Sequence, residues 1–534
     1  MLVALVVAAC AMGSGLCGAA LAANVAARLA QDSGASWVSA GHDLSDSRTQ
    51  PDETTIGVGN VGRLAPKWTF TTHGDVSATP TVDGGVVYFP DWGGYLNAVD
   101  ASTGALVWQA QLSSYPGLAG AVSRSSPAID GNELILGDTF TFAQPGGAHV
   151  FAVNRTNGKL IWNTQVDANP AAIITGNPVV YGNEVILGVS SNEETDTLNP
   201  FYSCCTFRGS VVALSAATGQ ILWKTYDMPA ASPCTGFNPP SGCGYSGGAV
   251  WGTPAIDPAT DSVYIGTGNN YTQPDAANAC QAAAAKAGTS NADCTAPDDY
   301  FDSELALNLQ TGQLEWGHKV EGYDAFVLAC ILGGGVSWCP SPVGPDYDFG
   351  GAGPNLLHVG GHTLVGAGQK SGVYWAFNPA NGNVVWDRLV GAGGAEGGVE
   401  WGSAYDGNRI YVPISDEFGV PYKLQSGTPD QAGSWAALDP ATGRFLWDVP
   451  DPNGAAALGP AAEANGVVYV SDTVWFGDNL FALDAATGKI LWRFPATGSE
   501  YGGAAIVNGT VYWGSGYYAG LPSNKLYAFT IGGR

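Results

Sequence analysis

Ala482-Leu483-Asp484-Ala485-Ala486-Thr487-Gly488-Lys489-Ile490-Leu491-Trp492 is the stretch that decides the fold of this chain. Its pattern is Ala, an apolar residue, Asp, three residues, Gly, three residues, Trp. Variants of it occur seven times between residues 97 and 492. Ala437-Leu438-Asp439…Gly443…Trp447 and Ala98-Val99-Asp100…Gly104…Trp108 are close copies, and looser ones end at Trp162, Trp223, Trp316 and Trp386. A unit recurring at this spacing is the mark of a repeat architecture.

One unit shows what each copy does. Ser77–Asp83, Gly85–Pro90, Tyr95–Val99 and Ala105–Gln111 read as four short strands, split by Asp-Gly-Gly, Asp-Trp-Gly-Gly and Thr-Gly. They alternate apolar and polar residues and are punctuated by turn formers. In the Asp…Thr-Gly turn a short side chain can accept from backbone N–H groups and Gly is free to take φ > 0. The Trp on the fourth strand is a large flat surface suited to the next unit. One four-stranded sheet cannot bury both faces alone, but radial stacking does so, which predicts an all-β β-propeller.

The two ends set the blade count. Leu526–Thr530 ends after a third strand, and Pro66-Lys67-Trp68-Thr69-Phe70 is a fourth strand with no blade of its own. Joined, they give an eighth blade closed by the N-terminal strand. Residues 37–534 are expected to be this one domain, and residues 1–23, apolar and ending in Ala20-Leu21-Ala22-Ala23, read as a signal segment. A secreted or periplasmic chain follows, with lipid anchorage at Val7-Ala8-Ala9-Cys10 as the alternative and no transmembrane segment in the mature chain. Beyond Cys10 and Cys17, eight cysteines remain. Sequential pairing, 204–205, 234–243, 280–294 and 330–339, closes short excursions between strands, though spacing alone does not fix connectivity. Such staples belong to an oxidising compartment. The formal charge of −26 excludes nucleic acid and anionic membranes as partners and suits a cationic one. The six histidines show no metal-ligand or triad spacing, and there is no C-x-x-C-H for covalent haem.

Several polar segments lie outside the repeat: Gly188-Val189-Ser190-Ser191-Asn192-Glu193-Glu194, Cys204-Cys205-Thr206-Phe207-Arg208-Gly209, Trp251-Gly252-Thr253-Pro254, Tyr264-Ile265-Gly266-Thr267-Gly268-Asn269-Asn270, Pro345-Asp346-Tyr347-Asp348-Phe349-Gly350 and Gly368-Gln369-Lys370-Ser371-Gly372. Each flanks a blade strand, where propeller loops meet one end of the central channel. Two carboxylates and an amide oxygen converging there would make a hard, oxygen-rich cation site of the calcium type.

With these segments in order, the chain resembles the quinoprotein alcohol dehydrogenases that use pyrroloquinoline quinone (PQQ), and among them the polyvinyl-alcohol dehydrogenase-like branch. The resemblance runs along the whole propeller and is carried by SATPTVDGGVVYFPDW, AVSRSSP, GVSSNEE, CCTFRG, AVWGTPAIDP, YIGTGN and QKSG. It implies Glu193, Asn269 and Asp348 around Ca²⁺, Trp251 as the floor under the tricyclic cofactor, and Arg124, Thr175, Ser190 and Lys370 on the cofactor's carboxylates and carbonyls. Asp348 would be the catalytic base. Glu194 stays open as an alternative to Glu193, and Asp346 and Asp324 as alternatives to Asp348. The chain departs from relatives at Ser77, where some place a Glu, and at Ala457, where others place a capping Trp. Its Cys204-Cys205 pair follows Arg124 instead of preceding its counterpart. It has no haem domain, so electrons would pass to an external acceptor such as a cytochrome c. The competing reading is a non-catalytic propeller scaffold of the outer-membrane assembly lipoprotein type, which shares the repeats.

Overall fold

The repeated turn forms as its residues require. Asp484 Oδ1 accepts from the N–H groups of Ala486 and Thr487, at 2.9 and 3.0 Å, and Gly488 donates to the Asp484 carbonyl at 2.8 Å with φ at +72°. Turns of this kind join the third and outer strands of the blades. The protein is described by a computed structural model covering residues 36–140, 146–289, 294–331, 337–517 and 520–534; the expected signal segment, Cys10 and Cys17 lie outside these residues.

Eight antiparallel sheets make the ring. The first holds Thr81–Asp83, Val86–Asp91, Tyr95–Asp100 and Leu106–Gln111. Its inner strand starts later than the sequence suggests: Ser77–Pro80 leaves the sheet because Pro80 has no N–H to give a ladder. The last blade holds Ala504–Val507, Thr510–Ser515 and Lys525–Ile531, and its outer strand is Leu64–Thr71, paired antiparallel with Lys525–Ile531. The β-propeller closed by its N-terminal strand is therefore observed. Second and third strands are buried, while the outer ones, such as Leu106–Gln111, are half-wet edges.

Each blade is latched to the next by the repeat's Trp. The indole N–H of Trp447 donates to Ala485 O at 3.0 Å, one residue past the turn Asp of the following blade. Trp108 does the same to Arg155 O, Trp162 to Ala216 O, Trp223 to Leu309 O, Trp316 to Pro379 O and Trp386 to Pro440 O. Trp68 reaches Ala101 O and Trp492 reaches Leu64 O, which closes the circle. The turn glycine is what admits the ring: a Cβ on Gly488 would stand 2.7 Å from Trp447 Cε3.

A second closure has no counterpart in the repeat. Residues 36–53 run around the inner rim at the end where inner strands finish. Trp37 exchanges backbone bonds with Val82, Val38 accepts from Ile129, Leu44 from Ile256, Ser45 from Leu356, Ser47 from Tyr405 and Arg48 from Glu463, and Gln50 Nε2 donates to Ile506 O. These bonds join the segment to seven of the eight blades. A cavity of about 970 Å³ opens beside this segment, lined in part by His42, Asp43, Tyr181, Arg155 and Asp257.

The four expected disulfides are present: Cys204–Cys205, Cys234–Cys243, Cys280–Cys294 and Cys330–Cys339. The third ties down a helix of 13 residues, Asp275–Ala287, inside the insertion of the fourth blade.

Candidate active site

Two sets of loops gather at the other end of the ring. One leads into each inner strand, and the other joins each second strand to its third; antiparallel order puts both at the same rim. Arg124, Thr175, Trp251 and Asp348 stand in the first set. Ser190, Glu193, Asn269 and Lys370 stand at the second.

Asp348 is where the loops of the fourth and fifth blades meet. Its Oδ1 accepts from the backbone N–H of Asn269 at 2.6 Å, and its Oδ2 from the indole N–H of Trp251 at 3.2 Å. Lys370 Nζ is 3.7 Å from the same Oδ2, and Lys370 N donates to the Asp348 carbonyl at 3.0 Å. The Lys370 ammonium also lies 5.3 Å over the Trp251 ring and 3.2 Å from Asp346 Oδ2. Trp251 is seated against Gly350 and Gly351, where any Cβ would overlap the indole. Asn269 is buried, its Nδ2 donating to Phe326 O at 2.8 Å. Asp324 does not reach this centre directly: its carboxylate accepts from the backbone N–H groups of Asp346 and Tyr347, at 3.1 and 2.6 Å, and holds their loop.

The adjacent glutamates divide. Glu193 is fully buried and its carboxylate is occupied: Tyr202 Oη at 2.9 Å and the amides of Thr206 and Phe207 at 2.7 Å each donate to it. It thereby pins the loop that carries the Cys204–Cys205 disulfide, which is buried in one apolar cluster with Trp251 packed against it. Glu194 stands in the field of the site. Loss of hydration, with Asp348, Glu396 and Asp324 nearby, pushes its carboxyl up to about 8 against the pull of Lys370.

The centre is short of positive charge. Burial pulls Lys370 down, yet Asp346, Asp348, Glu400 and Glu194 outweigh it and leave the ammonium well above its ordinary value. Burial drives Asp346 and Glu400 well above the carboxylate range, Lys370 opposing in both. Asp346 Oδ1 and Glu400 Oε1 are buried without hydrogen-bond partners. Among the described residues no three His, Cys, Asp or Glu side chains form a closed metal cluster. A hard cation here would have to be shared among Glu194, Asp348, an amide and a ligand from outside the chain.

Arg124 is reached through aromatic rings. Its guanidinium lies 4.1 Å over Trp401 and 4.6 Å over Tyr517, and Nη1 donates to Tyr517 Oη at 2.9 Å. Trp401 meets Trp251 edge-on at 4.7 Å, so Arg124, Trp401, Trp251, Lys370 and Asp348 form one continuous wall. Thr175 precedes Gly176, whose Cα packs on the Trp251 and Gly252 carbonyls, and Ser190 is buried opposite Ile173. Ser77 accepts the indole N–H of Trp92 at 2.8 Å, and Ala457 is buried in the apolar core. Sequence reasoning missed Trp401, Glu400 and Tyr517. One signal was available: Glu400-Trp401-Gly402 echoes Val250-Trp251-Gly252, and both Trp residues fall outside the latch pattern.

The family model described as outer membrane protein assembly factor BamB matches residues 65–204 and 431–530. The chain is 31% identical over 398 residues to a polyvinylalcohol dehydrogenase of Sphingopyxis sp. (strain 113P3), covering 74% of this chain and 56% of that protein. It is 30% identical over 418 residues to one of Pseudomonas sp., covering 76% and 60%. A quinohemoprotein alcohol dehydrogenase, ADH IIB of Pseudomonas putida, is 29% identical over 334 residues, 58% of this chain and 43% of the relative. The chain thus spans little more than half the length of the curated relatives it matches. The fold superposes on the quinohemoprotein alcohol dehydrogenase ADHIIG of Pseudomonas putida HK5 with a TM-score of 0.71 at 18% identity, covering 95% of this chain and 82% of that one. It also superposes on a europium-containing methanol dehydrogenase with a TM-score of 0.67 at 17% identity, covering 95% and 100%. The relatives to which this chain is similar over about three quarters of its length are thus polyvinylalcohol dehydrogenases, with a quinohemoprotein alcohol dehydrogenase beside them over a shorter stretch.

Proposed function

We propose that the chain oxidises alcohols, primary or secondary and including bulky or polymeric ones, with PQQ and a hard cation held at the rim around Asp348. One observation supports this reading: Trp251 and Asn269 from the loops of the fourth blade and Asp348 and Lys370 from those of the fifth converge within hydrogen-bonding or stacking reach. The residues fit the group. An indole lies against bare glycines as a floor, cations at Lys370 and Arg124 suit a polycarboxylate, and the surplus of buried acids calls for a metal ion. The chemistry the quinone supplies when bound is acceptance of a hydride, with the cation as Lewis acid.

The protein's own part follows from the contacts. Asp348 takes the hydroxyl proton of the alcohol, and the Asn269 amide and Trp251 indole fix the carboxylate for that transfer. Asp346 is committed to Lys370, and Asp324 positions the loop, so neither competes for the proton. Glu194, Asn269 and Asp348 are the proposed cation ligands, in place of the Glu193, Asn269 and Asp348 set. Ca²⁺ is the proposed ion, and the europium-containing neighbour makes a lanthanide the ion to test against it. Thr175, Ser190, Lys370 and Arg124 face the cofactor. Electrons leave to an external acceptor of the cytochrome c type, which the −26 charge would steer if it is cationic. Secretion or a periplasmic location goes with the disulfides.

The scaffold reading accounts for the repeats alone. The assembly-factor model leaves residues 205–430 unmatched, and that span holds Trp251, Asn269, Asp348 and Lys370. The test is reconstitution of the purified protein with PQQ and Ca²⁺ or a lanthanide, followed by dye reduction with an alcohol panel. Turnover that falls by about 100-fold or more in Asp348→Asn, at unchanged melting temperature, is expected. No quinone uptake and no turnover would leave the scaffold.

A further inference from the structure

A second group of oxygens is buried away from the Asp348 centre with nothing to bind. Asp227 follows the outer strand Ile221–Tyr226 of the third blade, and Asn270 and Asp299 come from the insertion of the fourth. Asp227 is 2% exposed, and Asn270 and Asp299 are 0% exposed. Both carboxylate oxygens of Asp227, Oδ1 of Asp299 and Oδ1 of Asn270 have no hydrogen-bond partner. The three residues are tied together: Asn270 Nδ2 donates to Asp299 Oδ2 at 3.0 Å, and Tyr300 N donates to Asp227 O at 2.8 Å. Backbone packs around the Asp227 carboxylate, since Gly209 and Gly248 flank it and a Cβ on Gly248 would stand 2.7 Å from its Oδ1.

Two cations stand nearby, Arg208 drawing Asp227 and Lys319 drawing Asp299 toward the charged form, yet the oxygens named above remain without hydrogen-bond partners. Arg208 Nη2 donates to Met228 O at 2.5 Å, with its guanidinium 4.0 Å over Tyr226. Lys319 Nζ donates to Thr295 Oγ1 at 2.8 Å and lies 4.8 Å over Phe301. Asp298 adds a further negative charge beside Asp299. Buried carboxylates with no donors are costly unless a charge is supplied. Two carboxylates and an amide oxygen, completed by backbone carbonyls or water, are the ligand chemistry of a hard divalent ion.

We propose that Asp227, Asp299 and Asn270 form a structural cation site of the calcium type, separate from the site around Asp348. The ion clamps the fourth blade's insertion to the third blade. Asn270 N donates to Asp324 O at 3.1 Å, so the clamp also steadies the residue that holds the Asp346–Asp348 loop.

The test needs neither quinone nor alcohol. Protein freed of PQQ is dialysed against chelator, returned to CaCl₂ or MgCl₂, and bound metal is counted beside the melting temperature. In the Asp348→Asn variant, where the proposed active-site ion is weakened, one Ca²⁺ per chain is expected to remain and to raise the melting temperature by several degrees. Asp227→Asn/Asp299→Asn introduced into that same Asp348→Asn chain should lose that ion and the calcium-dependent rise. Calcium content equal in the two variants, or melting in Asp348→Asn that ignores calcium, overturns the proposal. Should the triple variant not fold, calcium titration of Asp348→Asn melting decides alone. These readouts stand whether or not the protein oxidises alcohols.

Discussion

Substituting Gly488 by Ala probes the latch between blades at one atom. The backbone there has φ at +72°, and an L side chain in that region costs about 1–2 kcal/mol. The new Cβ would stand 2.7 Å from Trp447 Cε3, 2.9 Å from Cδ2 and 3.1 Å from Val449 Cγ1, in a seam formed by an indole and a β-branched side chain that cannot swing aside cheaply. Overpacking of that kind costs typically 1–3 kcal/mol. Gly488→Ala should therefore lose about 2–5 kcal/mol. Gly131 is the control: its φ is +55° and nothing lies within 4 Å of its added Cβ, so Gly131→Ala carries the backbone cost alone. Urea midpoints at matched protein concentration, with refolding checked, give the comparison. Equal losses in the two variants would refute the argument that the turn glycine exists to seat the neighbouring Trp.

Three further outcomes are expected. Arg48→Met strands Asp46, whose Oδ1 lies 3.4 Å from Arg48 Nη2 with both side chains buried, and should cost about 3–5 kcal/mol near pH 8. The loss should shrink near pH 5, because burial already holds the Asp46 carboxyl up to about 7 and it can protonate; a loss independent of pH would oppose this. Glu463 is likewise raised to about 7 by burial. Between the ordinary carboxylate range and pH 7 the folded chain keeps protons the unfolded chain has released, so stability should fall as pH rises from 5 to 8. Melting in chelator that rises across that window would contradict it. Finally, Glu194→Gln should abolish metal-dependent quinone binding at unchanged melting temperature, whereas Glu193→Gln should lower the melting temperature by releasing the Thr206 and Phe207 amides; the reverse result would give the ligand role back to Glu193.

What was legible in the sequence was local or periodic. Asp484, Gly488 and Trp492 sit within one turn and its strand, so their spacing carries their geometry, and eight blades follow from it. Trp251 and Asp348 stood out because they interrupt that period. The different surroundings of Glu193 and Glu194 were illegible for a different reason. Glu193 and Glu194 are adjacent acids with the same intrinsic chemistry, and what separates them is a pair of amides 13 and 14 residues away. The rim segment 36–53 was equally hidden. It has no strand periodicity because it gives one or two backbone bonds to most of the blades it crosses, so its order is set largely by the finished ring. The Asp46–Arg48 pair is the exception that chemistry required there: an irregular segment laid across the rim buries these polar side chains, and opposite charges two residues apart are the local way to neutralise them.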